Sequence, residues 1–299
     1  MKLLLRALSR LSLGANHALG AFLGRLVYAL SPRYHNRVLE NLGSSGLCPT
    51  REALHAAARR NAAEVGKGAT ELAWALFRPV EEVVAQVTSR TGWEGVERLR
   101  AEGRPIIFVT PHLGGYDIAG RYLWGELPGM MMAMYRPHKL RWLDRLIREG
   151  RDRGSGPDGT HTATATLAGV RKVLKHMRGG GATILLPDQV PGVGEGEWVE
   201  FFGRPAYTMT LVGRLQQASD AAVVFYFAER LPGGEGFIVH FRALDAPLPL
   251  DRGEAALLVN RKVEELVRMC PSQYLWGYNR YKRPAGAPPP PLGPRGSSR

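Results

Sequence analysis

The sequence predicts an α/β protein with a mostly parallel central sheet flanked by helices. Short apolar, strand-like runs alternate with stretches of helical periodicity, a pattern typical of parallel sheets whose crossovers are helices. The predicted strands are 105–110, 129–134, 182–186, 221–228 and 236–241. The predicted helices are 33–43, 50–77, a short one after Pro79, 115–125, 138–150, 164–178, 208–219 and 253–269. Because only "ERLPGGE" separates the last two strands, we expect them to form a hairpin.

These elements divide the chain into three parts. Residues 1–30 are expected to form an amphipathic, membrane-associating helix, and residues 31–283 a single α/β domain with a helical N-terminal part. The tail 284–299, "PAGAPPPPLGPRGSSR", is rich in Pro, Gly and Ser. Such a composition buries too little apolar surface to fold, so we expect the tail to be disordered.

The composition is strongly basic. Forty Lys and Arg residues against 27 Asp and Glu residues give a net charge of +13, and the isoelectric point is near 10.1. Such a balance predicts an acidic partner, which would be nucleic acid, an anionic membrane surface, or acidic substrates and carrier proteins. A basic surface that serves only solubility is the alternative. No recognised nucleic-acid-binding motif is present, so we expect no nucleic-acid partner.

The amino-terminal segment has the pattern of an interfacial helix. No acidic residue precedes Glu40. On a helical projection Lys2, Arg6, Arg10 and His17 fall within a narrow arc, and apolar residues fill most of the remaining circumference. This arrangement suits a helix whose apolar face enters the acyl region while its cations contact lipid phosphates.

Three other interpretations of this segment compete. A cleaved signal peptide is disfavoured by Asn16, His17 and Arg25 within the apolar stretch. A single span between Leu11 and Leu30 would have to contain the same polar groups. A helix that packs into a soluble core is the third. We expect membrane association and leave open whether the helix spans the bilayer or lies on it.

Several kinds of site are disfavoured by the sequence. Cys48 and Cys270 lie far apart and form no C-x-x-C pair, which favours a reducing environment and argues against a zinc site or a disulfide framework. The chain contains no Walker A sequence, no H-E-x-x-H and no clustered His/Cys set, and "GVGEGE" lacks the dinucleotide spacing. We therefore predict no metal and no nucleotide cofactor.

Polar residues follow three of the predicted parallel strands. His112, Tyr135-Arg136 and Pro187-Asp188 come directly after strands. Because ligands of open α/β sheets bind beyond the carboxyl ends of the strands, we expect these residues to meet at one edge.

A histidine followed five positions later by an acid occurs three times, so the spacing alone carries little weight. The pairs are His35/Glu40, His112/Asp117 and His240/Asp245. Only His112 follows a buried-looking strand at the ligand-binding edge. Gly114 and Gly115 follow it and are expected to leave backbone N–H groups open to a ligand, next to a helix start that favours negative charge. A turn histidine beside a helix-starting aspartate is the alternative.

Longer motifs in the same order resemble a known family. "HLGGYD", "MMAMYRP", "LLPDQVPGVGEGEWVEFFGRPAYTMTL" and "PSQYLWGYNRYKRP" are similar to stretches of the late acyltransferases of lipid A biosynthesis, within the wider HxxxxD glycerolipid acyltransferase superfamily. The resemblance covers about residues 1–283, including the basic apolar amino-terminal helix. Many members have Glu where this chain has Asp117. The resemblance implies the glycerolipid-acyltransferase type of α/β fold.

The resemblance also implies a chemistry. Such enzymes transfer a fatty acyl group from a carrier thioester to a hydroxyl of a growing lipid A molecule. His112 would be the general base, and Asp117 would orient the imidazole and stabilise its protonated form. The chain has no G-x-S-x-G, so we expect direct transfer without an acyl-enzyme. Backbone amides near Gly114 and Gly115, or a nearby cation, would stabilise the oxyanion.

Four further residues are predicted to bind substrate. Arg136 ends the second strand at the ligand-binding edge, and Arg151, in "GRDRGS", is the closer match to an arginine that the family uses; either would hold a lipid phosphate or phosphopantetheine. Asp188 would position an arginine or the acceptor, and Arg204 would contact the phosphorylated acceptor near the acyl groove. Solvated surface arginines and a loop-capping aspartate are the alternatives. "YLWGYNRYKRP" is interpreted as an interfacial belt or a core edge.

The leading hypothesis is an acyltransferase at the inner membrane whose catalytic domain faces the cytoplasm. Its expected partners are acyl carrier protein, a phosphorylated glycolipid acceptor and the anionic membrane surface. Acyl-CoA as the donor stays open. The alternatives are the same chemistry on another lipid acceptor of the lysophospholipid type, and a non-catalytic membrane-lipid-binding protein.

Overall fold

The computed structural model describes residues 2–135, 162–164 and 166–291 and confirms the mostly parallel α/β fold. The helices are α1 (Lys2–Ser9), α2 (Leu13–Leu30), α3 (Pro32–Gly43), α4 (Arg51–Phe77), α5 (Val80–Val84), α6 (Trp93–Ala101), α7 (Tyr116–Glu126), α8 (Leu167–Arg178), α9 (Leu211–Ser219) and α10 (Arg252–Met269). The strands are β1 (Val87–Thr91), β2 (Ile106–Val109), β3 (Met131–Tyr135), β4 (Thr162–Thr164), β5 (Ala182–Leu185), β6 (Gly196–Phe201), β7 (Arg204–Met209), β8 (Ala222–Arg230) and β9 (Phe237–Ala243). The predicted helix 138–150 lies outside the described residues.

The main sheet has seven strands in the order β1-β9-β8-β2-β5-β3-β4. Strands β8, β2, β5, β3 and β4 are parallel neighbours, with Ile106 of β2 aligned to both Ala182 and Ala222. The pair β8–β9 is antiparallel and turns through Pro232–Gly234, which confirms the predicted hairpin. All four residues of the central strand β2 are buried, as expected for a strand covered on both faces.

Helices cover the sheet on both faces. On one face Phe108 packs in a cluster with Ile118 of α7 and Val96 of α6. On the other face Val109 packs in a cluster that includes Val173 of α8 and Val259 of α10. The two clusters use alternate residues of β2, because successive side chains of a strand point to opposite faces.

Strands that the sequence did not indicate lie at the edges of the main sheet or outside it, and helix α6 was not indicated either. Strand β1 has the sequence VTSRT and is largely exposed, so it carries neither an apolar run nor a buried alternation. Strands β6 and β7 form a separate antiparallel hairpin, with Gly196 opposite Met209 and Phe201 opposite Arg204. This hairpin lies in a Gly- and Pro-containing stretch whose composition is typical of loops.

The prediction of one continuous helix over residues 1–30 is wrong. The segment forms α1 and α2, and Ser12 caps α2 by accepting a hydrogen bond from the Ala15 N–H. Helix α2 packs closely on α4, and a Cβ at Gly24 would lie 2.0 Å from the Ala62 carbonyl oxygen. His17 was expected on the lipid-facing cationic arc, but it is buried against α4 with only 3% of its surface exposed.

The outer face of α2 is apolar and exposed. The exposed side chains on this face, which we call the α2 outer face, are Phe22, Leu23, Leu26, Val27 and Leu30. Within the ranges that the structure describes, no helix combines the length and the hydropathy needed to cross a membrane.

The tail was predicted to be disordered from residue 284, and this is wrong for 284–291. Ala287 is fully buried in a small cluster with Val190 and Tyr207. The Trp198 indole N–H donates to the Pro288 carbonyl at 2.9 Å. The tail therefore packs on the β6–β7 hairpin, and aromatic residues of that hairpin supply the apolar contacts that composition alone does not reveal. Residues 292–299 lie outside the described residues.

A buried group of charges joins the N-terminal helices to the end of β8. Arg230 donates to Glu71 of α4 through Nη2 at 2.7 Å and to Glu64 through Nη1 at 2.9 Å. His17 Nε2 lies 2.6 Å from Glu71 Oε1. Burial alone would raise the pKa of Glu71, but the charge and hydrogen bonds of Arg230, together with His17, lower it to about 2.

We expect Glu71→Gln to lower the free energy of unfolding by about 3 kcal/mol, because it leaves the buried Arg230 charge without its main partner. Urea unfolding followed by circular dichroism measures this change. The control is Glu82→Gln, which removes the partner of Arg78 at the surface and should cost less than about 1 kcal/mol. Equal losses in the two variants would contradict the assignment.

Candidate active site

Two polar residues meet at the carboxyl edge of the sheet. His112 follows β2 after Thr110 and Pro111, and Asp188 follows β5. Because β2 and β5 are parallel neighbours, the turns after them leave the sheet side by side. The predicted convergence of His112 and Asp188 is confirmed.

Asp188 binds the histidine twice. Its Oδ2 accepts the His112 backbone N–H at 2.9 Å, and its Oδ1 lies 2.8 Å from His112 Nδ1. A carboxylate only accepts, so Nδ1 carries the proton and Nε2 presents its lone pair. The Gln189 side-chain nitrogen lies 3.0 Å from Nε2 and donates to it. Tyr116 packs edge-on against the imidazole, with ring centroids 5.0 Å apart.

The charges of the pair support each other. Burial alone would lower the pKa of His112, but the charge and hydrogen bond of Asp188, with a further contribution from the charge of Asp117, raise it. Burial would raise the pKa of Asp188, but the charge and hydrogen bonds of His112, with the charge of Arg280, lower it. Asp188 is therefore ionised beside an imidazole whose protonated form is stabilised.

The orienting role predicted for Asp117 belongs to Asp188 in this structure. The His112 backbone N–H and its Nδ1 both face Asp188, so one carboxylate fixes the residue at two points. Asp117 lies in the first turn of α7 and lines the same cavity as His112. Its charge acts on the pKa of His112 without taking the place of Asp188 at Nδ1.

The expectation that Gly114 and Gly115 leave their N–H groups open is wrong. The Gly114 N–H donates to the Gln273 carbonyl at 3.2 Å, and the Gly115 N–H donates to the Ala228 carbonyl at 2.9 Å. Gly114 has a φ of +60°, and a Cβ there would lie 1.9 Å from the Ala228 oxygen. The glycines thus allow the turn to approach β8 closely, and their amides are unavailable as oxyanion donors.

The C-terminal motif "PSQYLWGYNRYKRP" holds this turn from the other side. The Leu275 N–H donates to the His112 carbonyl at 3.1 Å, and Asn61 of α4 donates to the Tyr274 carbonyl at 2.6 Å. Tyr274, Trp276 and Arg280 are all buried. Of the two interpretations of this motif, the core edge is confirmed for these three residues.

A cavity of about 960 Å³ opens beside the imidazole. Its polar end includes His112, Asp117, Arg121 and Gln189. Most of the remaining wall is apolar and comes from α8, α9 and the end of β5. The apolar lining includes Leu167, Val170, Leu174, Leu185, Leu186, Leu211 and Leu215. A cavity with an apolar body and a few convergent polar groups is the usual form of a ligand site.

The structure does not place the three arginines that were predicted to bind substrate beside His112. Arg136 and Arg151 lie outside the described residues. Arg204 lies at the turn end of the β6–β7 hairpin, where it donates to Ser44 at 3.0 Å and to Glu40 at 3.2 Å and does not line the cavity. Its contact with substrate stays a prediction, as do the roles of the other two arginines.

The sequence missed two features of the site. Gln189 follows Asp188 directly, yet no feature of "LLPDQ" indicates that its amide reaches Nε2 of His112. Asp188 was selected, but as a partner of an arginine or of the acceptor. The order of the strands would have shown the pairing, and a single sequence does not reveal which strands are neighbours.

In the described part of the chain no group of three or more His, Cys, Asp or Glu side chains is suited to a metal ion.

An imidazole held by a carboxylate beside an apolar cavity suits acyl transfer, and comparison with known proteins shows that the chain is an acyltransferase. The chain belongs to the bacterial lipid A biosynthesis acyltransferase family, whose model matches residues 3–283.

Individual relatives are similar at moderate identity. The lipid A biosynthesis lauroyltransferase of Escherichia coli K12 is 28% identical over 232 residues, which are 77% of this chain and 73% of the relative. The lipid A biosynthesis acyltransferase of Haemophilus influenzae is 30% identical over 187 residues, 62% of this chain and 56% of the relative. The palmitoleoyltransferase of Escherichia coli K12 is 25% identical over 228 residues, 76% and 72% of the two chains.

We expect an NMR titration of the His112 imidazole to give a pKa above the ordinary histidine value in the wild type. Asp188→Asn should lower this pKa, because it removes the larger favourable charge, and Asp117→Asn should lower it by less. A pKa unchanged in Asp188→Asn would contradict the pairing. A larger drop in Asp117→Asn would reverse the order of the two acids.

Proposed function

We propose that the protein transfers a fatty acyl group from the thioester of an acyl carrier protein to a hydroxyl of a lipid A precursor. The observation that carries the proposal is the contact between His112 and Asp188. Asp188 holds Nδ1 of His112, so Nε2 of His112 is directed away from the carboxylate, and His112 lies at the polar end of an apolar cavity. Membership of the family supports the reaction type and the acceptor class.

In the proposed mechanism His112 is a general base. An acceptor hydroxyl takes the place of the Gln189 amide at Nε2 and gives up its proton as its oxygen attacks the thioester carbonyl. Asp188 stabilises the resulting imidazolium, since it holds Nδ1 and carries the compensating charge. Collapse of the tetrahedral intermediate breaks the carbon–sulfur bond, and the imidazolium returns the proton to the departing thiolate.

The oxyanion needs donors other than the two glycine amides. The Gln189 amide is 3.0 Å from Nε2, so once displaced from the imidazole it is close to the reacting carbonyl. We propose it as one donor. An arginine from the stretch containing Arg136 and Arg151 is the second donor that we propose, together with binding of phosphate or phosphopantetheine.

The apolar part of the cavity is the proposed site of the acyl chain. Leucine and valine side chains of α8 and α9 line it, and burying each methylene of a chain there contributes about 0.8 kcal/mol. The depth of this lining would then set the preferred chain length.

We further propose that the protein acts at the cytoplasmic face of the inner membrane and that the α2 outer face contacts the lipid. Soluble proteins rarely leave contiguous large apolar side chains exposed, and a face of this kind is typical of membrane or protein interaction sites. Helix α2 is fixed to α4 through His17 and Glu71, so binding of α2 to a bilayer would hold the catalytic domain at its surface.

The proposed reaction is tested by mass spectrometry of lipid A from cells that lack this gene. We expect deletion to remove one acyl chain, and wild type to restore it. We expect His112→Ala to restore none and Asp188→Asn to restore much less. The matched control is His240→Ala, since the side chains of His240 and His112 are each 14% exposed. Unchanged lipid A on deletion, without a redundant enzyme, would point to another lipid acceptor.

Membrane association is tested by vesicle co-sedimentation with anionic lipids. We expect Phe22→Glu to weaken binding about tenfold or more, because burying one such side chain is worth about 1.5–3 kcal/mol. The control is Leu250→Glu, an equally charged change at an exposed leucine away from α2. An equal effect of the two substitutions would argue against α2 as the contact surface.

A further inference from the structure

The exposed charged side chains of the neighbouring helices α8 and α9 are all positive. These exposed cations, which we call the α8–α9 cationic face, are Arg171, Lys172, Lys175, Arg178 and Arg214. Neither helix contains an acidic residue. The two helices lie beside each other, and the Arg178 guanidinium reaches the carbonyl of Ala218 near the end of α9 at 3.4 Å.

These charges are not neutralised within the described part of the protein. No carboxylate there lies within ion-pair distance of any of the five, although ion pairs occur elsewhere on the surface, such as Arg90 with Glu126. The polar contacts that Lys172 and Arg178 make are with backbone carbonyls. A surface with several unpaired charges of one sign attracts a partner of the opposite sign.

The same two helices line the cavity beside His112. Val170 and Leu174 of α8, and Leu211 and Leu215 of α9, face the cavity, and Arg214 lies at its wall. Arg214 therefore borders the apolar space that leads to the proposed base, and the other four cations lie on α8, whose Val170 and Leu174 line that space. A partner bound on this face could place an attached apolar chain in the cavity without leaving the surface.

We propose that the α8–α9 cationic face is the docking surface for the acidic protein that carries the acyl donor. This inference rests on the proposed function and identifies where its donor binds. An anionic bilayer is a poorer occupant, because α8 buries Val173 and Met177 and exposes cations, while its one strongly exposed large apolar side chain, Leu167, stands at its first residue. Stable binding to a bilayer takes buried apolar area as well as charge, and the group of neighbouring exposed apolar side chains is on α2.

The test compares two thioester donors. In Arg171→Glu/Lys175→Glu, whose positions are one helical turn apart on α8, we expect KM for lauroyl-loaded acyl carrier protein to rise at least tenfold at low salt. We expect kcat to change less than twofold, and the difference in KM to shrink as salt screens the charges. With lauroyl-pantetheine, which lacks the carrier protein, the variant should match the wild type.

The matched control is Arg98→Glu/Arg100→Glu on α6, where two exposed arginines lie on the opposite face of the sheet. It should leave KM for the loaded carrier unchanged. Equal KM values in the two double variants, or an equal loss with lauroyl-pantetheine, would overturn the assignment of the surface. Loss of vesicle binding by the α8 variant, with KM unchanged, would assign the face to the membrane instead.

Direct binding separates this inference from the proposed reaction. Fluorescence anisotropy with labelled acyl carrier protein should show binding to the wild type that weakens at least tenfold in the α8 variant. If the wild type binds the carrier in this way yet transfers no acyl group to a lipid A precursor, the proposed acceptor fails while the docking surface stands. If the wild type transfers from both donors but both double variants bind the carrier as it does, the docking surface fails alone.

Discussion

The contact between Asp188 and His112 is the interaction on which the site depends. A buried carboxylate is costly unless its oxygens are satisfied and its charge is balanced. Here both oxygens accept N–H groups of His112, and the buried Arg280 adds a positive charge nearby. The contact requires β2 and β5 to be adjacent and in register, so the parallel core of the sheet sets the geometry of the imidazole. The same contact fixes the tautomer, which leaves Nε2 as the basic nitrogen.

A second set of contacts ties this site to the N-terminal helices. The side-chain amide of Gln273 accepts the Arg230 backbone N–H and donates to the Arg230 carbonyl, each at 2.9 Å. The backbone carbonyl of Gln273 accepts the Gly114 N–H. Arg230 in turn binds Glu71 of α4, and His17 of α2 binds the same carboxylate. Helix α2, which exposes its apolar outer face, and the turn that holds His112 are thus joined through a short chain of buried polar contacts. The α2 outer face, which we propose to contact lipid, is in this way connected to the site by packed polar side chains.

The sequence predicted the features that depend on apolar periodicity and on the position of a residue at the end of a strand. Strands β2, β3, β5, β8 and β9 and most helices follow directly from apolar spacing, and His112 and Asp188 were placed at one edge because both follow parallel strands. What failed depended on contacts between distant segments. The acid at Nδ1 is set by which strands are neighbours, and the amides of Gly114 and Gly115 are used because β8 and the C-terminal motif approach the turn. The packed tail fails for the same reason, since Ala287 is buried by the β6–β7 hairpin.

The net charge of the chain, too, could be interpreted only once the positions of the charged residues in the fold were known. A value of +13 predicts an acidic partner without saying which one or where. The structure separates two surfaces with different chemistry: the α2 outer face is apolar, and the α8–α9 cationic face is charged, with Leu167 at the start of α8 as its one strongly exposed large apolar side chain. A bilayer suits the α2 outer face, because its apolar side chains are stabilised when they are buried among lipid chains. The second surface borders an apolar cavity through Arg214, so it suits the proposed partner, which is acidic outside and carries an apolar chain. An acyl chain on an acidic carrier has both properties, and this is why the two surfaces are best explained by two different partners.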